Sequence, residues 1–382
     1  MKYNSRCLWI SLTFIISAIL SCGSTDDEPE RPFESSIDTV VVSVSDTLGL
    51  LVGDSSLVFG TITQASWGKD GRLYVLDGQF GRLAIYSEEL EFFRYIGRLG
   101  SGPGEFQYPQ SFAFLSDGRL AVCDWGAGRV VFFDSSFQYV DHLYGYYPDS
   151  PRYIAPGPGS TYVAMNMELD QSEGELEGNS FIARFGREME PEHIYDSWPL
   201  VISTYGNPEN PDISIGRVDH DFDSNLEGTV YLAERDDSTY LVEVFLADGT
   251  VDTLVNRSWE RVEKSQDQRE QEFFEETKNQ NEDGSQMGRH TVQDIYPYLN
   301  AIGSVDVDPD GNIWVGQAYT DIPTFEVYSP SGELSFVAVI PELVAVEGLE
   351  YCFRYGYLAY DRQPVDYPKV YILEPDTIAI ER

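Results

Sequence analysis

The acidic run at residues 219–223 is the stretch whose residue types come closest to a metal site. It reads Asp219-His220-Asp221-Phe222-Asp223, and carboxylates at alternate positions can surround a hard cation such as Ca²⁺. The glycine that calcium loops place at their sixth position is absent. The segment Val218–Asp221 also aligns on Val305–Asp308, each ahead of a turn glycine. We therefore favour a structural role in a repeated unit over a metal site at Asp219 and Asp221, while calcium stays open as a cofactor.

Motifs for catalysis are missing from the sequence. There is no Ser-His-Asp order, nucleophile elbow, dinucleotide fingerprint or phosphate loop. Gly100-x-Gly102-x-Gly104 leads into a strand, and Glu105 would repel phosphate. The histidines have no paired spacing, so isolated structural roles are favoured over a zinc site. They are His142, His193, His220 and His290. No catalytic residue is predicted.

Short apolar runs separated by glycine turns are the elements that must position any site. Within Gly97–Asp134, three such runs follow one another, and Ser116-Asp117-Gly118 separates the first two. This pattern is typical of consecutive antiparallel strands. The runs are Ser111–Leu115, Arg119–Cys123 and Arg129–Phe133.

Copies of this turn predict a repeat. Six turn glycines are separated by 47, 41, 69, 83 and 45 residues, and three of these spacings match a four-stranded propeller blade. The glycines are Gly71, Gly118, Gly159, Gly228, Gly311 and Gly356. We predict an all-β, six-bladed β-propeller over residues 37–382, with insertions in the two long intervals. The last blade shows only three strands, so the run Thr39–Val44 should supply the fourth and close the ring.

The glycine-rich segment carries a resemblance to a known repeat. Gly-x-Gly-Pro-Gly-Glu-Phe-x-x-Pro at 100–109, then Asp117–Leu120, Asp124 and Arg129–Asp134, resembles an NHL repeat of a six-bladed propeller. The whole chain is similar to the six-bladed propeller lipoproteins of bacterial envelopes. Propellers with NHL repeats include lyases, hydrolases, RNA binders and protein-binding platforms. The resemblance therefore implies a fold without implying one function.

One segment has a helical composition. Trp259–Thr277 lacks glycine and proline and is rich in helix formers. It predicts a mostly solvated helix within an insertion of about residues 257–285, between blades 4 and 5. A lid over the channel is an alternative role, and it would require Phe273 and Phe274 to face the rim.

The N-terminus predicts export. Lys2 and Arg6 precede an apolar core, Leu8–Leu20, as in a signal peptide spanning residues 1–21. The sequence Leu20-Ser21-Cys22-Gly23 resembles a lipoprotein processing site, which would make Cys22 the lipidated N-terminus and residues 22–36 an acidic tether. The expected location is the outer membrane, on its periplasmic or cell-surface side. An ordinary signal peptide or an uncleaved anchor is the alternative.

Charge limits the partners. The net charge of −39 comes from 64 acidic and 25 basic residues, and such a surface repels nucleic acids. The remaining partners are a small molecule, a glycan, a peptide or an envelope protein. The membrane is contacted through the lipid anchor alone, and a monomer is expected.

Candidate ligand-binding residues lie where the repeat predicts one rim of the channel. Asp77 with Arg82, and Asp124 with Arg129, recur at the same spacing of five, which favours an ion pair inside each blade over a catalytic role. Aromatic rings beside carboxylates suit sugars, peptides or cations, with plain packing as the alternative. The candidates are Asp77, Asp124, Trp125, Tyr296, Tyr298, Gln317 and Tyr319.

These features predict a non-catalytic module that binds a ligand or a protein and is exported and anchored by lipid. The alternative is a calcium-dependent hydrolase or lyase, of the type that resembles gluconolactonase propellers.

Overall fold

The fold is built almost entirely from β-strands. The computed structural model describes residues 37–145, 151, 153–170, 177–199, 201–207, 210–216, 220–234, 236–266, 268–270, 273, 297–318, 320, 322–344, 348–362, 364 and 366–375. Asp38–Arg382 form one compact unit, and its described ranges contain 26 strands.

Four antiparallel sheets of four strands each follow one another along the chain. Blade 1 contains β2 (Ile62–Trp67), β3 (Leu73–Asp77), β4 (Arg82–Tyr86) and β5 (Phe92–Ile96). Blade 2 contains β6 (Pro109–Phe114), β7 (Leu120–Asp124), β8 (Arg129–Phe133) and β9 (Tyr139–Tyr144). Blade 3 contains β10 (Tyr153–Pro156), β11 (Tyr162–Asp170), β12 (Glu177–Phe185) and β13 (Pro191–Pro199). Blade 4 contains β16 (Asp221–Ser224), β17 (Val230–Ala233), β18 (Thr239–Phe245) and β19 (Val251–Ser258).

The remaining strands form a hairpin and the last two blades. The hairpin pairs β14 (Val201–Asn207) with β15 (Asn210–Gly216). Blade 5 contains β20 (Ile302–Val307), β21 (Ile313–Gln317), β22 (Thr324–Tyr328) and β23 (Leu334–Val339). Blade 6 contains β24 (Leu349–Cys352), β25 (Leu358–Asp361) and β26 (Val370–Pro375), and it takes in the N-terminal strand β1 (Thr39–Leu48).

The first two strands of each complete blade are joined by a tight turn at its glycine. Gly118 has a φ of +84°, and its N–H donates to the carbonyl of Leu115 at 3.0 Å. Residues with a Cβ rarely adopt this left-handed backbone. The turn glycines are therefore reliable markers of the blades.

The N-terminal strand closes the ring, as the sequence predicts. Val42–Leu48 of β1 pair antiparallel with β26 and complete the four strands of blade 6. Thr39–Val41 pair parallel with β23 of blade 5. One strand thus joins the last two blades into a single eight-stranded sheet.

The core lies between the blades. Six clusters of buried apolar side chains join blades 1 and 2, 2 and 3, 3 and 4, 4 and 5, 5 and 6, and 6 and 1. Between blades 1 and 2, for example, Tyr74 and Leu76 pack with Phe112 and Leu120. Burial on every flank of every sheet is what a closed ring supplies and a single sheet cannot.

The predicted helix begins later than the sequence indicates. Trp259–Ser265 are not helical, and the described helical residues are 266, 268–270 and 273. The ring of Trp259 stacks on that of Tyr240 with 5.4 Å between the ring centroids. The backbone of Glu263 forms an isolated antiparallel β-bridge with that of Tyr298. These contacts override the helical propensity of the first turn. Phe273 is described and Phe274 is not, so the lid alternative stays a prediction.

Within the described residues, no helix combines the length and the apolar character needed to cross a membrane.

Candidate functional site

The innermost strands of all six blades surround one cavity, which we call the central channel. Residues of β2, β6, β10, β16, β20 and β24 line it, and its volume is about 320 Å³. Most of the side chains that face it are polar. They include Thr63, Gln64, Gln110, Ser111, Tyr153, His220, Asp221, Asp223, Ser304, Asp306, Glu350, Arg354 and Arg362.

Three channel carboxylates connect neighbouring blades. Asp221 accepts the N–H of Val305 at 2.7 Å. Asp223 accepts the N–H of Val307, and Asp306 accepts the N–H of Phe353, both at 2.9 Å. These groups satisfy backbone donors on the free edge of the next inner strand, which would otherwise be costly to bury.

The aspartates that occupy equivalent positions in blades 4 and 5 are not the ones that the sequence pairing predicted. Asp223 and Asp306 each lie five residues before their turn glycine, and each also accepts the N–H of the following residue. The sequence alignment instead paired Asp221 with Asp308. That alignment was wrong by four residues, because the run holds three aspartates at alternate positions and any of them can be matched.

Between other blades, uncharged side chains accept the backbone N–H of the next inner strand in the same way. Gln64 Oε1 accepts the N–H of Phe112 at 2.5 Å, between blades 1 and 2. Ser111 Oγ accepts the N–H of Ile154 at 3.1 Å, between blades 2 and 3. Inner-strand polar residues therefore hold the ring together whether or not they are charged.

Arg354 lines the channel and is paired there. Its guanidinium pairs with Asp223 and donates to the carbonyl of Ser224 at 2.7 Å. Burial lowers the pKa of Arg354 to about 10. The side chain also lines a second cavity of about 1030 Å³, which lies between the turns of blades 4 and 5 and also borders the turn of blade 1. Arg354 is thus shared by the two cavities.

A second arginine lies on the channel wall. Arg362 donates to the hydroxyl of Tyr153 at 3.1 Å, and its guanidinium is 3.4 Å from a carboxylate oxygen of Glu350. Burial opposes the charge of Arg362, but Tyr153 and Glu350 raise its pKa overall. The arginine, the tyrosine and the glutamate form one paired group.

Asp306 is the channel carboxyl with the most altered ionisation. Removal from bulk water raises its pKa to about 7, although the N–H groups of Phe353 and Val307 act to lower it and Asp308 raises it further. Such a pKa is a feature of many catalytic acids. Here both oxygens already accept backbone N–H groups, so the carboxyl has a structural role.

Asp77 is not available to a ligand at the rim. It is fully buried and accepts the N–H groups of Gly60 and Thr61 at 3.0 and 3.2 Å. Arg82 Nε lies 3.8 Å from its carboxylate. The carboxylate therefore holds the segment that enters blade 1.

Asp124 does the same for blade 2. It is fully buried, and it accepts the N–H groups of Gln107 and Tyr108 at 2.9 Å and the Nε of Arg129 at 3.1 Å. Burial raises the pKa of Asp124, and the hydrogen bonds and Arg129 oppose that shift. Asp77 and Asp124 thus each form an ion pair inside their blade, as the spacing favours. Both carboxylates are fully buried and do not face the rim.

The other described rim candidates lie apart from the channel wall. Trp125 begins a 3-10 turn, Trp125–Ala127, directly after β7. Gln317 ends β21, and the ring of Tyr298 lies 5.3 Å from the guanidinium carbon of Arg261. None of the three lines the channel.

Among the sequence candidates, Asp221 is the described residue that lines the channel. Tyr296, Tyr319, Asp219 and Cys22 lie outside the described residues. Within the part of the chain that the structure describes, no group of three or more His, Cys, Asp or Glu side chains is placed to hold a metal ion.

Sequence reasoning missed the uncharged channel residues, although a signal for them exists. Thr63, Gln110 and His220 line the channel, and each stands eight residues before a turn glycine, as Gly303 does in blade 5. At Thr63, Gln110 and Gly303 the pairing of the first two strands skips a residue, which marks a β-bulge. Bulges re-aim side chains and are frequent beside functional sites.

Comparison with known proteins agrees on the architecture. The DUF5128 family, described as a 6-bladed beta-propeller, matches residues 50–173, which include blades 1 and 2 and the start of blade 3. The fold is a six-bladed β-propeller. No curated protein matches the sequence significantly.

Solved structures with a similar chain path share little sequence with this propeller. A Bacteroides fragilis protein whose name marks it as a presumed exported protein has 13% identity and a TM-score of 0.47, over 88% of this chain and 99% of that one. Virginiamycin B lyase from Staphylococcus aureus has 9% identity and a TM-score of 0.45, over 86% and 99%. A DUF4221 family member from Bacteroides vulgatus has 10% identity and a TM-score of 0.44, over 88% and 98%. These values say nothing about the activity of this chain.

Proposed function

We propose that this protein binds a small polar ligand in its central channel and does not transform it. The observation that carries the proposal is the polar cavity of about 320 Å³, to which all six inner strands contribute. Its volume lies at the lower end of the roughly 300–1,000 Å³ range of ligand pockets, and such pockets are usually preformed.

The charged groups of the channel support binding without catalysis. Asp223 and Arg354 pair with each other, and Glu350 pairs with Arg362. Asp221 and Asp306 accept backbone N–H groups of the next blade. A general acid or base must exchange a proton with the substrate, whereas each of these groups is already engaged with a protein partner.

The rigidity of the ring suits a binding site. Each inner strand is fixed to a neighbouring one by backbone N–H groups that donate to the side chains of Gln64, Ser111, Asp221 and Asp306. Side chains held in this way lose little freedom when a ligand binds, which favours affinity.

The proposal places this module outside the cytoplasm, anchored through a lipid on Cys22. Its support is the apolar segment Leu8–Leu20 followed by Leu20-Ser21-Cys22-Gly23. In bacteria that express the protein, metabolic labelling with a fatty acid should mark the wild type and not the Cys22→Ser variant. Equal labelling of both would contradict the anchor.

Thermal melts of the full chain in detergent test the binding itself, because a ligand of the native state raises the melting temperature. The panel contains sugars, polyols, amino acids and short peptides. Ser304→Phe fills the channel, and Ser135→Phe places the same ring on an exposed turn as the control. We expect at least one compound to stabilise the wild type and the control but not Ser304→Phe. Equal stabilisation of all three, or of none, would contradict the channel as the site.

A further inference from the structure

We infer that the channel ligand is an uncharged compound rich in hydroxyl groups, of the polyol or monosaccharide class, and that Gln110 selects it. The inference rests on the proposed function, since it specifies the ligand of the same cavity.

Gln110 is a buried polar side chain that faces the channel and has no hydrogen-bond partner among the described residues. Only 7% of the residue is exposed, and it lines the cavity. No hydrogen bond joins its carboxamide to any of the described residues. A carboxamide has two N–H donors and an oxygen with two acceptor sites, and leaving them unused beside a polar cavity is unfavourable. A water or a ligand group must therefore meet this amide.

A bulge aims Gln110 at the channel. Pro109 pairs with Asp124 and Ser111 pairs with Cys123, which leaves the residue between them outside the ladder. The equivalent bulge residue of blade 1, Thr63, donates its hydroxyl to the carbonyl of Pro109 at 3.0 Å. The equivalent of blade 5 is Gly303, which has no side chain. Among these three bulges, Gln110 alone presents an uncommitted polar group.

Two further uncommitted groups on the channel wall are also uncharged. Gln64 uses Oε1 to accept the N–H of Phe112, while its Nε2 amine has no hydrogen bond to the described residues. The hydroxyl of Ser304 likewise has none within the ranges described. Together with Gln110, these groups present amide and hydroxyl hydrogen-bonding capacity to the cavity.

An anionic ligand would find no unpaired arginine among the described side chains of the cavity, and a cationic ligand would compete with backbone N–H donors for the carboxylates. The two arginines are paired with Asp223 and Glu350, and Asp221 and Asp306 accept backbone N–H groups. An anion would have to displace Asp223 or Glu350 from its arginine, and a cation would have to displace the N–H donors from Asp221 or Asp306, and both exchanges are costly. A neutral ligand with many hydroxyl groups avoids these costs and satisfies donors and acceptors together.

An exposed ring adds a surface suited to such a ligand. Tyr153 lines the channel with 36% of the residue exposed, and Arg362 fixes its hydroxyl at 3.1 Å. Aromatic rings offer flat apolar area beside a polar group, which matches the C–H face of a sugar ring. The cavity volume of about 320 Å³ limits the ligand to small compounds of this class.

Isothermal titration calorimetry on the full chain in detergent tests the inference. The neutral probes are D-glucose, myo-inositol and xylitol, and the charged probes are D-gluconate and D-glucosamine. We expect at least one neutral probe to bind at least tenfold more tightly than either charged probe. Gln110→Met keeps the side-chain length and removes the amide, so it should weaken that binding about tenfold or more, the equivalent of one or two hydrogen bonds.

Ser304→Ala is the second variant, in case Gln110→Met fails to fold. It removes one channel hydroxyl and should weaken the same probe about threefold or more, whereas Ser135→Ala on the exposed turn should leave it unchanged. Unchanged affinity in a folded Gln110→Met protein, or in Ser304→Ala where that is the testable variant, would overturn the inference.

The inference and the proposed function fail in different ways. Binding of gluconate or glucosamine as tight as that of the neutral probes, blocked by Ser304→Phe, would keep the channel as the site and overturn the neutral class. No binding of any probe would overturn the inference, and the wider melting panel with Ser304→Phe would then decide the proposed function.

Discussion

At Asp306, burial and two backbone donors act in opposite directions on one carboxyl group. Burial prevails and raises its pKa to about 7, whereas in the unfolded chain an aspartate ionises near pH 3.9. Between these values the folded state holds the proton more tightly than the unfolded state does. The contribution of Asp306 to stability is therefore fully present below about pH 4 and is lost as the pH rises through about 7.

The variant Asp306→Asn removes this proton linkage. Its free energy of unfolding, relative to that of the wild type, should rise by about 1–4 kcal/mol between pH 4 and pH 8. Urea titrations at several pH values measure the difference, and Asp141→Asn on the exposed part of β9 serves as the control. A difference that does not change with pH would show that Asp306 ionises normally.

Asp124 makes a prediction about stability alone. Asp124→Ala leaves Arg129 and the N–H groups of Gln107 and Tyr108 without their acceptor, so it should destabilise the fold by about 3–5 kcal/mol. Asp117→Ala, at an exposed turn of the same blade, should cost less than about 1 kcal/mol. Denaturant unfolding of both variants checks this, and a similar small loss in both would contradict the structural role of Asp124.

At the residue scale, the sequence could reveal repeated pairs but not the channel wall. The spacing of Asp77 with Arg82 and of Asp124 with Arg129 predicted ion pairs, and both pairs are present. Gln110 faces the channel because of a bulge, and a single skipped residue in strand pairing leaves no clear trace in composition. The side chains that face the cavity depend on that register.

At the scale of elements, β1 should be necessary for a cooperative fold. Val42 is fully buried in the cluster between blades 5 and 6, whereas its neighbour Val41 is 38% exposed. Val42→Asp buries an unpaired charge at the closure and should lower the free energy of unfolding by several kcal/mol or broaden the transition. Val41→Asp is the matched control, with an expected loss of about 1 kcal/mol or less.

Thermal and urea unfolding of these two variants decide the point. Equal small losses in Val42→Asp and Val41→Asp would show that the ring does not need this strand to close.

The elements were predictable where local patterns decide them. The long glycine intervals predicted insertions, and the first of them contains the hairpin Val201–Gly216. The start of the helix was not predictable, because Trp259 is held by stacking on Tyr240 and not by its neighbours in sequence. Contacts between distant parts of the chain leave no mark on local propensity.

At the scale of the whole molecule, the melting temperature should not depend on metal ions. Asp221, Asp223 and Asp306 use their oxygens on backbone N–H groups of the ring. Melts of the full chain with EDTA and with added calcium should therefore agree within about 1 °C, since a metal that binds the native state would raise the melting temperature. A calcium-dependent rise of several degrees, abolished by EDTA, would instead favour the calcium-dependent hydrolase or lyase.

Six blades were predictable from the sequence because each blade repeats one turn, as at Gly71, Gly118 and Gly311. The site was not predictable, because it draws single residues from strands far apart in sequence. Gln64, Gln110, Ser304 and Glu350 meet only when the ring is closed. The repeated turn within each blade can be read from the local sequence, whereas the cavity forms only when the six blades close into a ring.

Crystals of the full chain soaked with D-glucose, and separately with xylitol, would show where such a ligand binds. We expect ligand density in the central channel, within hydrogen-bond distance of the Gln110 carboxamide, with the Asp223–Arg354 and Glu350–Arg362 pairs unbroken. Channel density that is explained by ordered water alone would contradict ligand binding in the channel. So would a ligand bound only in the cavity between the turns of blades 4 and 5.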